Sequence, residues 1–213
     1  MNSICYNLKE VFMNNSNRKS IRIYDENHHI SNEEIESIIL AANKAPSSMN
    51  MQPWRYVVIR SKEAKNLLED ALYGNKNQLN TSSAMIVIFN DLNKYSLADK
   101  IYTLAYEKGL MPLEVKTKQL SNINKIMQSK NKEKMIRSGL IDCGIAAMNL
   151  MNVARDYGYD TCPIGGFNHD KIHDVCNLDK ERYYPVMIVS IGKAAEKGYE
   201  SIRLSFDDVA KII

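Results

Sequence analysis

The chain has 213 residues, 45% of them hydrophobic, and this predicts a globular protein with a substantial core. Its 28 basic and 25 acidic residues leave a net charge of +3, so charge does not indicate a nucleic-acid-binding protein. No apolar run approaches the roughly 18 residues that would span a bilayer, and the N-terminus lacks the apolar core of a signal peptide. We therefore expect a cytoplasmic protein without a membrane segment.

Two amphipathic helices are predicted near the N-terminus. Apolar residues recur at helical spacing from Ser3 to Asn15, which predicts a short helix that ends in an asparagine-rich turn. A second helix begins with a capping box, because Ser31 is followed three residues later by Glu34, and it stops near Pro46.

Three apolar segments have the composition of strands. They are Arg55–Arg60, Ala84–Phe89 and Tyr184–Gly192. Between the first two, the residues KEAKNLLEDALYG predict a helix that is ended by Gly74. Strands and helices in this order indicate the α+β class, with the three strands in a central sheet that helices flank.

The second half of the chain is mainly helical before its last strand. The helical pattern is irregular from Lys94 to about Met135 and regular after it, up to Gly158. The regular helix carries a broad apolar face formed by Ile136, Leu140, Cys143, Ala147, Leu150, Met151 and Ala154. The residues PIGGF then predict a turn, and HDKIHDVCNL a short helix. Without a repeat or a linker, the chain is predicted to form one domain over residues 1–213.

Several common sites are not indicated. The nine glycines form neither GxGxxG nor a phosphate loop, which argues against a Rossmann domain. His169 and His173 lie near Cys162 and Cys176, but their spacing fits no common zinc pattern, so surface histidines and buried thiols are the preferred interpretation. Cys143 and Cys162 are interpreted as core cysteines rather than nucleophiles. Together with Cys5, the cysteines contain no CxxC pair, which predicts free thiols.

A basic cluster near the N-terminus predicts an anion site. In the segment NRKSIRIYD, four donors occupy five positions: Arg18, Lys19, Ser20 and Arg22. In an extended segment the first, third and last of these point to one side, so two guanidinium groups and a hydroxyl could bind one anion. A solvated basic turn is the alternative.

The stretch APSSMNMQPW gathers uncharged hydrogen-bonding groups between a helix and a strand. Pro46 and Pro53 should stiffen it, and Trp54 should anchor its exit in the core. Taken alone, it is a polar turn before a strand, and its amides and hydroxyls have no evident partner.

These segments, followed by PIGGF and VSIGKAAEKGYESIRLSF, together resemble the FMN-dependent nitroreductase family from about Asn17 to Arg203. The resemblance implies a nitroreductase-like α+β fold with a mixed, mainly antiparallel sheet. It also implies an intertwined homodimer with FMN bound in two clefts at the subunit interface.

The resemblance also implies roles for individual residues. Arg18, Lys19, Ser20 and Arg203 would lie at the FMN phosphate, and Arg22 at the pyrimidine edge of the flavin. Asn75 and Gln78 would bond the ring, and Pro46, Ser47, Ser48 and Asn50 would approach it from the other subunit. Pro163, Ile164, Gly165 and Gly166 would line it, with the Gly166 backbone N–H at flavin N5. Three positions depart from the family pattern, because Gln78 is neutral, Ser201 replaces a basic residue, and Gly165 replaces an acidic one.

The implied activity is an NADH- or NADPH-dependent reduction of nitroaromatics, quinones or similar small conjugated acceptors. It would follow a ping-pong mechanism without a catalytic side chain. Two alternatives stay open: a specialised flavoenzyme of the same superfamily that dehalogenates a substrate or breaks down flavin, and a flavin-binding protein without catalysis. Residues 94–135 would be the family's variable excursion, or lid, with Tyr95, Tyr102, Tyr106 and Met111 as candidate lid residues. Packing of these side chains in a core is the alternative to that role.

Overall fold

The computed structural model describes residues 18–128 and 131–213. The helix predicted from Ser3 to Asn15 lies outside these residues, as does Cys5. The described helices are α1 Asn32–Ala42, α2 Lys62–Glu69, α3 Lys76–Thr81, α4 Ala98–Glu107, α5 Leu113–Gln128, α6 Lys132–Asp156, α7 His169–Cys176 and α8 Phe206–Val209. The described strands are β1 Trp54–Ile59, β2 Ala84–Asp91, β3 Asp160–Ile164 and β4 Tyr183–Gly192. Short 3₁₀ turns lie at Ser48–Asn50 and Lys94–Leu97.

The four strands form one sheet in the order β1-β2-β4-β3, with every neighbouring pair antiparallel. A parallel bridge joins Ser20 to Thr161 on β3. The α+β class and the three predicted strands are confirmed. The prediction missed β3, because Pro163 and the glycines after it were interpreted as a turn. Proline is tolerated in this strand because β3 lies at an edge of the sheet.

Helices cover both faces of the sheet. Along β2, alternate residues enter two separate core clusters, and all eight residues of the strand are buried. Ile86 packs with α1 and α6 on one face, whereas Val87 packs with α2 and α7 on the other. Burial on both faces explains why this strand is a continuous apolar run rather than an alternating one.

The capping box of α1 is confirmed, since Glu34 N donates to Ser31 Oγ at 3.1 Å and Ser31 N donates to Glu34 Oε2 at 3.0 Å. The predicted end of the next helix was wrong, because α2 ends at Glu69 instead of Gly74. Leu72 forms a bridge with Phe167 beyond β3, so tertiary pairing replaces helical bonds there.

The segment after β2 folds as predicted into helices, and its aromatic residues pack mainly in a core of their own. Tyr95, Tyr102 and Met111 belong to a cluster around the buried Met51, whereas Tyr106 is 42% exposed. Within the described ranges, no helix is both long and apolar enough to cross a bilayer.

Helix α6 confirms the predicted long helix, but the predicted face is partly wrong. Leu140 is exposed, whereas Gly139 and Asp142 are buried. A Cβ on Gly139 would lie 2.1 Å from side-chain atoms of Asn90, so α6 approaches β2 closely at this point. The buried face therefore includes the small residue that permits this approach.

Candidate functional site

The predicted anion-binding residues lie together in a groove of about 280 Å³. We call this the basic groove; it is lined by Arg18, Lys19, Ser20, Arg22, Tyr199, Glu200, Ser201 and Arg203. Two segments distant in sequence build it because both run along the sheet. Ile21 N donates to Thr161 O at 3.2 Å, and Ala195 N donates to Ile23 O at 3.0 Å.

The basic groove contains a donor that needs a partner. Arg18 Nη1 is buried and has no hydrogen-bond partner among the described residues. The other cations have partners: Lys19 pairs with Glu200, Arg203 Nη1 donates to Ser201 Oγ at 2.8 Å, and the Arg22 guanidinium carbon lies 5.3 Å from the centre of the Tyr199 ring. An unpaired buried guanidinium N–H is costly in the free protein and fits an anionic ligand such as a phosphate.

Strand β3 connects the basic groove to the other residues proposed for FMN. Ser20 bridges to Thr161 at the start of the strand, and Gln78 Nε2 lies 3.8 Å from the sulfur of Cys162. Gln78 Nε2 also donates to Asn75 Oδ1 at 3.0 Å. The cations thus lie near the start of β3 and the neutral amides lie beside its middle. This arrangement suits an elongated ligand that has an anionic group at one end.

The glycine pair after β3 has open space beside it. A Cβ on Gly165 would have no neighbour within 4 Å, and one on Gly166 would meet only Tyr73 Cβ at 3.8 Å, among described atoms. The Gly166 carbonyl accepts from Tyr73 N at 3.0 Å, which fixes the backbone of the pair. Contacts within the described chain therefore give no steric reason for glycine here, and the open space suits close approach of a flat ligand. Pro163 is half-buried and Ile164 is buried in the core, so neither is strongly exposed on this surface.

The turn from Ser47 to Asn50 contacts other parts of the chain than the basic groove. Its described hydrogen bonds run to α6 and to the helical excursion, since Ser48 N donates to Asp142 Oδ1 at 2.9 Å and Tyr102 Oη donates to Met49 O at 2.9 Å. Pro46, Ser48 and Asn50 are exposed. Trp54 is 3% exposed, which confirms its predicted role as a core anchor.

A second cleft, of about 650 Å³, lies beside this turn. Its walls include Asn50, Gln52, Arg55 and Lys100 together with apolar side chains from α1 and α4. The sequence interpretation missed this cleft because its residues come from separate elements. It also missed Tyr199 and Glu200 in the basic groove, although their proximity to Arg203 in the sequence was an available signal.

Within the part of the chain that the structure describes, no group of three or more His, Cys, Asp or Glu side chains could hold a metal ion. His173 is buried rather than on the surface, which corrects the prediction; its Nδ1 lies 2.7 Å from His169 O and its Nε2 lies 2.6 Å from Tyr183 O. Burial raises the pKa of Cys143 to about 12, which disfavours the nucleophilic thiolate. Cys143, Cys162 and Cys176, the cysteines in the described ranges, are free thiols.

Comparisons with known proteins identify the family of this chain. A model described as the Nitroreductase family matches residues 16–193. The Bacillus subtilis protein named "Putative NAD(P)H nitroreductase YdgI" is 46% identical over 198 residues, which cover 91% of this chain and 93% of that protein. The "CLA biosynthesis enone reductase" of Lactiplantibacillus plantarum is 31% identical over 188 residues, or 88% of this chain and 87% of that protein. A crystal structure from Exiguobacterium sibiricum, described as "a putative nitroreductase in complex with FMN", has a TM-score of 0.91 at 43% identity and covers 100% of both chains. This chain therefore belongs to the nitroreductase family.

Proposed function

We propose that the protein is an NADH- or NADPH-dependent FMN oxidoreductase that reduces small conjugated acceptors. The observation that carries the proposal is the buried Arg18 donor, which has no partner among the described residues and lies in a groove with three further cations. Ser20 of this groove bridges to Thr161 on β3, and β3 leads to an open glycine pair, in a chain of the nitroreductase family.

The basic groove would hold the FMN phosphate. Arg18, Lys19 and Arg203 would supply charge-assisted hydrogen bonds, and Ser20 a neutral one. Lys19 would exchange its ion pair with Glu200 for the phosphate. Because Glu200 is highly exposed in that pair, this exchange has a small energetic cost.

The ring of FMN would lie toward Gly165 and Gly166, with Asn75 and Gln78 as amide partners. When bound, FMN supplies two-electron transfer, taking hydride from the nicotinamide donor and passing electrons to the acceptor. The Gly166 N–H would donate to N5, and Arg22 would place positive charge at the pyrimidine edge. Because the sequence has no dinucleotide-binding glycine motif, the donor and the acceptor would use the same exposed face in turn, in a ping-pong order.

We also propose a homodimer in which each Ser47–Asn50 turn serves the flavin of the other subunit. Two exposed apolar surfaces support self-association. Helix α6 exposes a stripe at helical spacing, in which Ile141 is 64%, Ile145 41% and Met148 40% exposed. The C-terminal arm, residues 199–213, exposes Tyr199, Ile202, Leu204, Phe206, Val209, Ile212 and Ile213.

The dimer is tested by sedimentation of the full chain and of Ile145→Asp. The wild type should sediment as a dimer, and the variant as a folded monomer with weakened FMN binding, because the site would lack the turn of a second copy. A wild-type monomer that binds FMN would overturn the shared site.

The acceptor class is proposed as nitroaromatics, quinones or α,β-unsaturated ketones. The last is included because one relative is an enone reductase by name. In this proposal residues 1–213 form one nitroreductase-like domain, and residues 94–135 form the lid over the flavin cleft.

The function is tested by anaerobic spectroscopy of the purified protein. We expect bound yellow FMN, bleaching by NADH or NADPH, and recovery of colour with each acceptor class, all faster than with free FMN at the same concentration. A protein that stays colourless after FMN is added would refute the proposal. Bound flavin that neither donor bleaches would instead support a flavin-binding protein without catalysis.

A further inference from the structure

A buried ion pair lies outside the proposed flavin-contacting residues. Lys94 is fully buried, Asp142 is 4% exposed, and Lys94 Nζ lies 3.6 Å from Asp142 Oδ2. Lys94 Nζ also donates to Ser138 Oγ at 2.9 Å, one turn earlier on α6. The start of the helical excursion is thereby fixed to α6 through two side chains on one helix face.

The other carboxylate oxygen of Asp142 bonds to the Ser47–Asn50 turn. Asp142 Oδ1 accepts from Ser48 N at 2.9 Å, across an interval of 94 residues. A bond from a backbone N–H to a carboxylate is charge-assisted and therefore stronger than a neutral one. One carboxylate thus joins α6, the excursion and the turn.

The turn needs such an anchor because its backbone is strained. Met49, Asn50 and Gln52 have φ values of 54°, 56° and 45°, in the left-handed region that side chains other than glycine rarely adopt. Such conformations persist when surrounding contacts over-determine them, and they concentrate at functional sites. Other contacts also hold this backbone: Tyr102 Oη donates to the Met49 carbonyl, Gln52 N donates to Ser47 Oγ at 2.9 Å, and Arg55 Nη1 donates to Gln52 O at 2.8 Å. Among the described residues, only Asp142 brings a charged group to the backbone of the Ser47–Asn50 turn itself.

We infer that Asp142, fixed by Lys94, is a positioning residue that holds the Ser47–Asn50 turn in the shape that meets the flavin ring of a second copy. This inference rests on the proposed function. Helix α6 also carries the exposed stripe at Ile141 and Ile145, so Asp142 sets the turn relative to the surface proposed for dimer contact.

The first test measures amide hydrogen exchange in the protein without FMN. Asp142→Ala should speed exchange at the Ser48 amide by about tenfold or more and leave β2 amides protected as in the wild type. Glu133→Gln is the matched control, because it removes an exposed carboxylate from the same helix. Unchanged exchange at Ser48 would overturn the inference.

A second variant distinguishes loss of the contact with the turn from misfolding of the protein. In Lys94→Met/Asp142→Leu an apolar pair replaces the buried ions, which often preserves stability. It should keep the wild-type melting temperature but lose the Ser48 protection. Retention of that protection would show that the carboxylate does not hold the turn.

The final test compares FMN with riboflavin, which lacks the phosphate. Asp142→Ala and the double variant should raise the dissociation constants of both flavins by a similar factor, about tenfold, because the turn would contact the ring. Unchanged affinity, or a loss for FMN alone, would overturn the inference and leave the proposed function standing. A wild-type protein that binds neither flavin would overturn both.

Discussion

Replacement of Arg18 by alanine should weaken FMN binding without weakening the free protein. In the free protein Arg18 Nη1 is buried without a partner among residues 18–128 and 131–213, so the substitution breaks no described bond of that atom and removes an uncompensated donor. In the complex it removes a charge-assisted hydrogen bond to phosphate, worth about 1.5–3 kcal/mol. Since 1.4 kcal/mol is a factor of ten, the dissociation constant for FMN should rise about 10- to 150-fold.

The assay is quenching of flavin fluorescence on titration with apoprotein at fixed salt. Riboflavin, titrated in parallel, should bind Arg18→Ala and the wild type equally well. Arg137→Ala is the control, because that arginine lies on an exposed face of α6, 76% exposed and paired with Glu133. An equal loss for riboflavin, or a change in FMN affinity of less than about twofold, would refute the assignment of Arg18 to the phosphate.

Three further substitutions test other parts of the molecule. Arg22→Ala should lower the midpoint potential of bound FMN or weaken its binding, as measured by dye-coupled reduction and titration, because it removes positive charge near the ring. Gly139→Ala should reduce the free energy of unfolding by about 1–3 kcal/mol in urea, since its Cβ would overlap the buried Asn90 side chain. Burial raises the pKa of the Cys143 thiol from 9.0 to about 12. The protonated thiol therefore stabilises the folded protein below pH 9, and this stabilisation is lost as the pH rises toward 12. Cys143→Ala should reduce the fall in the free energy of unfolding between pH 9 and pH 12, as measured by urea unfolding.

Local sequence rules predicted the elements that local chemistry determines. The capping box located α1, and the apolar runs located β1, β2 and β4, because burial on both faces of the sheet leaves few alternatives for such runs. The end of α2 and the strand β3 were missed since both depend on pairing between distant segments. Leu72 pairs with Phe167, and Pro163 is acceptable only because β3 lies at an edge.

The candidate site was predictable to the extent that its residues cluster in sequence. Arg18 to Arg22 were identified from their spacing, and the structure places them in one groove with Arg203. Asp142 gave no such signal, because a single aspartate on an amphipathic helix is ordinarily exposed. Only its contacts with Lys94 and Ser48 distinguish it.

Two of the three departures that the resemblance implies lie at residues with local partners in the structure, Ser201 and Gln78. The Ser201 hydroxyl, at a position where the resemblance implies a basic residue, accepts from Arg203 Nη1 at 2.8 Å and so orients that guanidinium. Gln78 is 4% exposed and bonds to Asn75, so a cation at this position would be desolvated and would need a partner of opposite charge. In the proposed site Arg22, half-buried against the Tyr199 ring, would therefore supply the positive charge to the flavin, and its substitution tests whether the neutral amides suffice to stabilise reduced flavin without it.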